Sequence, residues 1–101
     1  MFVDLAGSER ILKTKVDHMK ALEAKNINTS LSALGRVINH LSKKGNGGFI
    51  PFRDSALTML MKESLTGNCQ TSLIVTVAEA LEWSNETVSS LRFGISCGKI
   101  A

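Results

Sequence analysis

The chain has 101 residues, 44% hydrophobic and 21% charged, enough for one small domain with a modest core. No apolar run approaches the ~18 residues of a membrane-spanning helix, and Met1 leads straight into strand-like sequence with an acid at position 4, so neither a membrane partner nor a secretory start is expected. The net charge of +3 is uneven: residues 1–9 carry −2, residues 10–53 carry +7 and residues 54–101 carry −2, which implies an acidic partner for the middle of the chain. That basic segment lacks interleaved aromatics and any nucleic-acid-binding motif, so nucleic acid is not the expected partner.

Phe2 and Val3 are β-formers without a polar interruption, as at the end of a strand covered on both faces, and they predict a strand near 2–4. Asp4 then stands at the carboxyl end, the edge where open α/β sheets bind ligands, and a carboxylate there can hold the water shell of a Mg²⁺ ion bridging nucleotide phosphates. Gly7 leaves room for its N–H to meet a terminal phosphate oxygen, and Glu9 adds a second acid. The string Asp4-Leu5-Ala6-Gly7 taken by itself fits a plain strand-ending turn better than a ligand site.

Arg10 to Leu22 reads as a charged loop capable of turning helical, in which His18 is either a pH-sensitive contact or simply solvated. A helix is predicted over 24–42, because Ile27, Leu31, Leu34, Ile38 and Leu41 recur at intervals of 4, 3, 4 and 3. Lys25 and Arg36 fall off that stripe, on a face that is either solvated or offered to a partner. Lys43 and Lys44 suit the negative end of the helix dipole, and the glycines that follow them come after a helix, so this is no phosphate loop. Gly-x-x-x-x-Gly-Lys-Ser/Thr occurs nowhere in the chain.

Phe49 to Phe52 is expected to be extended because of Pro51. Asp54 or Ser55 then caps a helix over 55–66, with Leu57, Leu60, Met61 and Leu65 buried and Gly67 at its C-cap. Thr71 to Ala78, β-branched and nearly all apolar, predicts a central strand near 71–78. Trp83 reads as a packing residue. Ser84 or Asn85 caps the last helix, over 84–98, whose buried side carries Val88, Leu91 and Ile95. Cys69 and Cys97 lack the spacing of a metal site and read as reduced cysteines of a cytosolic protein, which leaves the two Asn-x-Ser/Thr patterns at Asn28 and Asn85 without meaning as glycosylation sites.

Val3-Asp4-Leu5-Ala6-Gly7-Ser8-Glu9-Arg10, then Asn26 to Gly35, then Ile50-Pro51-Phe52-Arg53-Asp54-Ser55, closely resemble the kinesin motor domain in order and spacing, from about residue 2 to about residue 100. The resemblance implies an α/β fold: a fragment of the kinesin P-loop NTPase motor core, mostly helical, lacking the P-loop, switch I and the neck linker. It further implies a microtubule-based, ATP-hydrolysing motor located in the cytoplasm on the cytoskeleton, with ATP and Mg²⁺ as cofactors. Its partners would be tubulin and the remainder of the motor domain.

By the same resemblance Asp4 holds Mg²⁺ through water, Gly7 senses the γ-phosphate and Glu9 pairs with a switch I arginine while ordering the attacking water. Lys13, Lys25, Arg36, Lys43, Lys44 and Arg53 face the microtubule. The alternative is a truncated, catalytically dead microtubule-binding module. The 101 residues alone are expected to be inactive. Departures from the family pattern are Lys15 and His18 where glycines are usual, which should stiffen the loop, Ala56 and Met59 where cations are usual, which should weaken microtubule binding, and Gly94 where alanine is usual, costing ~1 kcal/mol of helix stability.

Overall fold

The computed structural model describes residues 1–8, 18–43, 48–67 and 69–100, with side chains in the first helix from Lys25 onward. Three helices organise it: α1 (His18–Ser42), α2 (Ala56–Leu65) and α3 (Ser84–Gly98). Two short 3₁₀ turns, Phe52–Asp54 and Leu81–Trp83, lead into α2 and α3. Glu9, Lys13, Lys15, Lys44 and the glycines at 45 and 47 lie outside the described residues.

The core belongs to α1. Among the described residues, Ala33, Leu34, Val37 and Ile38 are the buried apolar side chains of this helix, and Phe52 is 8% exposed beside them. The predicted stripe is therefore right at its centre, and the small residues Ala33 and Val37 widen it so that α2, α3 and the Phe52–Asp54 turn all pack on one helix. α1 also begins at His18, inside the expected loop. Met19-Lys20-Ala21-Leu22-Glu23 are good helix formers with no glycine or proline among them, and the helix extends through them.

α2 starts as its sequence predicts. Ser55 is the N-cap: its Oγ accepts from the Thr58 N–H at 3.1 Å, while the Ser55 N–H donates to Thr58 Oγ1 at 3.2 Å, a reciprocal capping box. Gly67 follows α2 with φ 97°, the left-handed conformation that ends a helix without a Cβ penalty. Leu60, expected inside, is 71% exposed, because Thr58 is fully buried and turns the inner face toward Leu57, Thr58, Met61 and Leu65. At about 100° per residue, Leu60 stands roughly 110° from the middle of that arc.

The stretch Phe49–Phe52 is not extended throughout. Pro51 has φ −81° and ψ 57°, and the Phe52 N–H donates to the Ile50 carbonyl at 2.9 Å, an inverse γ-turn that feeds the 3₁₀ turn.

The two strands expected near 2–4 and 71–78 are not formed; no β-strand occurs among the described residues. A strand exists only as part of a ladder, and these segments have no pairing neighbour there. Residues 71–79 are instead tethered at both ends: Thr71 Oγ1 donates to the Ser64 carbonyl of α2 at 2.7 Å and Thr87 Oγ1 of α3 to the Ala78 carbonyl at 2.9 Å. Their apolar side chains stay largely open, Ile74 at 88% and Leu73 and Val77 near half.

α3 follows the Leu81–Trp83 turn, and neither Ser84 nor Asn85 caps it; Trp83 holds the N-cap position without a side-chain capping bond to the helix, since the 3₁₀ turn already supplies the first backbone contacts. Its expected inner stripe, Val88, Leu91 and Ile95, is exposed by 46%, 49% and 61%. The side that packs carries Phe93, Gly94 and Cys97 toward Val75 and α1. Accordingly the accessible surface is 8328 Å², whereas a self-contained monomer of 10.9 kDa exposes about 5,600 Å².

A Cβ added at Gly94 would lie 3.3 Å from Val75 Cγ2. Gly94→Ala gains helix propensity of ~1 kcal/mol and loses part of it to that contact; because Val75 sits in no ladder and can shift, a net stabilisation of about 0.5 kcal/mol is expected in urea unfolding. A net loss would show that Val75 is held rigidly.

Candidate functional site

Two surfaces carry the residues singled out by sequence. The first is the acidic loop. Asp4 is exposed and bonds to no described residue, so its carboxylate is open to water. Leu5 is half-buried and points into an apolar cavity of about 450 Å³ with Leu34, Ile38, Val75 and Phe93. Gly7 and Ser8 line a second, more open cavity of about 510 Å³ against Thr76, Val77, Ala78, Glu86 and Thr87. Residues 1–8 and 71–79 thus run on the walls of the same two cavities. Leu5 anchors the loop, and Gly7 presents bare backbone to the second cavity. Glu9 lies outside the described residues, so the loop's second acid is not placed.

The second surface is basic. Lys25 and Arg36 are exposed on α1 and Lys43 is exposed just past its end, about 27 Å along the helix direction from Lys25. Arg36 reaches across to the 3₁₀ turn, where its Nη2 donates to Asp54 Oδ2 at 3.3 Å, an ion pair whose side chains are 52% and 42% exposed. His40 Nδ1 donates to the Arg36 carbonyl at 2.8 Å and continues the same row. Arg53, next to Asp54, is exposed and forms no ion pair with a described residue. The pair therefore sets Arg36 of α1 beside Arg53, while Lys25 stays apart. Lys13 and Lys44 are outside the described residues.

One buried polar residue supports this second surface. Thr58 is fully buried, and its hydroxyl donates to the Phe52 carbonyl at 2.6 Å while accepting from the Ser55 N–H. Lys62 of α2 lies over the Phe52 ring, 5.8 Å from its centre. The Arg53–Asp54 turn is thereby fixed from below by Thr58 and from the side by Phe52. Sequence reasoning assigned Thr58 no role; its spacing of three from Ser55, the capping-box interval, is the available signal. Arg36 and Asp54 are 18 residues apart and gave none.

Burial pushes the Cys97 thiol up, which keeps it a protonated packing group of the first cavity. Among the described residues no group of three or more His, Cys, Asp or Glu side chains could hold a metal ion, and no helix is long and apolar enough to cross a membrane.

The family model described as the kinesin motor domain matches residues 1–100. Kinesin-related protein 7 of Dictyostelium discoideum is 50% identical over 92 residues, 91% of this chain and 7% of that protein. The kinesin heavy chain of Botryotinia fuckeliana is 50% identical over 93 residues, 92% of this chain and 10% of that protein. Among solved structures, a KIF14 dimer with AMP-PNP in complex with a microtubule superposes with a TM-score of 0.88 at 45% identity, covering 96% of this chain and 27% of that one. A fast kinesin gives 0.78 at 47% identity, covering 96% and 27%. The chain thus spans a tenth or less of these two curated relatives and about a quarter of these two motor structures. With the acidic Asp-Leu-Ala-Gly loop, the long basic helix and the Arg-Asp-Ser turn all present and matched over nearly every residue, the chain belongs to the kinesin motor-domain family.

Proposed function

We propose that these residues form the nucleotide-sensing and microtubule-binding part of an ATP-hydrolysing kinesin motor working on cytoplasmic microtubules. The observation that carries the reading is the Arg36–Asp54 contact, which sets basic α1 beside the turn that carries Arg53. Tubulin, with an acidic surface, is the partner that this charge fits.

The acidic loop supplies the nucleotide side. Mg²⁺ is commonly held by one or two carboxylates plus phosphate oxygens, so the solvent-open Asp4 suits a contact through water. The bound ion and ATP together supply phosphoryl-transfer chemistry, which depends on positioning and charge neutralisation. Gly7 offers its N–H to the terminal phosphate, and Glu9 holds the arginine of switch I and orients water. Leu5 of this loop lines the same cavity as Leu34 and Ile38 of α1, so a shift of the loop on phosphate loss has a short route to the basic helix.

The exposed stripe of α3 and the open 71–79 segment fit contact with the rest of the motor domain. The isolated 101 residues should accordingly show no microtubule-stimulated ATP turnover, and the intact motor should show it. Turnover by the 101 residues alone, or none by the intact motor, overturns the reading. Ala56 and Met59 are both exposed at the start of α2. Restoring cations there with Ala56→Lys and Met59→Arg is expected to tighten microtubule binding of the intact motor about threefold to tenfold at low salt. Unchanged co-sedimentation would remove those positions from the interface.

A further inference from the structure

We infer that Asp54 is an internal competitor for Arg36: it holds that arginine beside Arg53 in the free motor and releases it to an acidic site on tubulin when the motor binds. The inference rests on the microtubule reading above and adds a residue that sets affinity. Among the described residues, Arg36 is the one cation of the basic surface already engaged by an acid of its own chain; Lys25, Lys43 and Arg53 are in no such pair. The pair is solvent-exposed at both ends and is made by a single oxygen at 3.3 Å, with no second hydrogen bond to hold it. Exposed pairs of this kind are weak, so a new acid brought close by binding can displace Asp54 at little cost.

The site is built for exchange at one end only. The Asp54 backbone is fixed by its N–H bond to the Pro51 carbonyl at 3.3 Å and by the capping box that follows. The Arg36 side chain by contrast is anchored only through its own helix, where the His40 ring takes up the Arg36 carbonyl. The long guanidinium arm can therefore swing while the carboxylate stays. Lys62, the nearest cation on α2 to this turn, lies over Phe52 and is committed elsewhere.

A double-mutant cycle in the intact motor tests this by microtubule co-sedimentation at low salt. D54N is expected to tighten binding about threefold to fivefold, the worth of one exposed ion pair. R36Q should weaken binding, and in the R36Q background D54N should change it by less than about 1.5-fold, because the competition has lost its object. Asp54→Glu, which keeps the charge, should bind as the wild type does. Far-ultraviolet circular dichroism checks that α2 survives each change.

Equal tightening by D54N in both backgrounds overturns the inference in favour of simple repulsion between Asp54 and tubulin. Unchanged or weaker binding of a folded D54N overturns it too. If R53Q weakens binding while the cycle is flat, only this inference fails. If the wild-type motor does not pellet with microtubules, the microtubule reading fails and takes the inference with it.

Discussion

Gly7→Ala in the intact motor is expected to lower microtubule-stimulated ATP turnover by about 100-fold or more, the cost of removing one preorganised backbone donor from developing phosphate charge. Gly7 is exposed and lines an open cavity, so the fold should be kept when a methyl group is added there. What the methyl group obstructs is the approach of the N–H to a terminal phosphate. Microtubule binding without nucleotide should stay within about threefold, since the basic surface is carried by other elements. Steady-state turnover and co-sedimentation on one preparation separate the two effects; turnover within fivefold of wild type would take Gly7 out of the phosphate-sensing role.

The second large effect is expected at Thr58. Thr58→Val keeps the shape and deletes the hydroxyl, leaving the Phe52 carbonyl and the Ser55 N–H without the partner they now have. Two groups stranded in a part-buried turn cost about 2–4 kcal/mol. Thr58→Ser keeps the hydroxyl and loses a methyl group, about 1 kcal/mol. Urea unfolding of the intact motor should rank the valine variant well below the serine variant; the reverse order would mean that Thr58 serves by packing. Because the same turn carries Arg53 and Asp54, the valine variant should also bind microtubules more weakly.

The three helices were legible because their evidence is local. The 4-3-4-3 stripe of α1, the Ser55–Thr58 capping box and Gly67 at φ 97° are each decided within a few residues. The strands were misjudged because a strand depends on a partner, and β-branched residues at 71–78 declare a preference that no ladder among the described residues satisfies. The same dependence misplaced the faces of α3, whose apolar stripe of Val88, Leu91 and Ile95 was read as inward while Phe93, Gly94 and Cys97 are the less exposed side, lining the first cavity. In the site, the acidic loop and the identity of the cations were readable as motifs. The Arg36–Asp54 contact was not, since it depends on how α1 crosses the turn before α2.

The position of the buried residues along α1 has a mechanical consequence. Among its described side chains, from Lys25 onward, the fully packed ones fall between Ala33 and Ile38, while the helix starts at His18. A tilt of about 10° about Leu34 would sweep the N-terminal end, roughly 24 Å away, through about 4 Å, yet move the backbone at Arg36 by less than about 1 Å. One rigid rod with an off-centre fulcrum can thus deliver a stroke at its far end and keep its grip near the pivot.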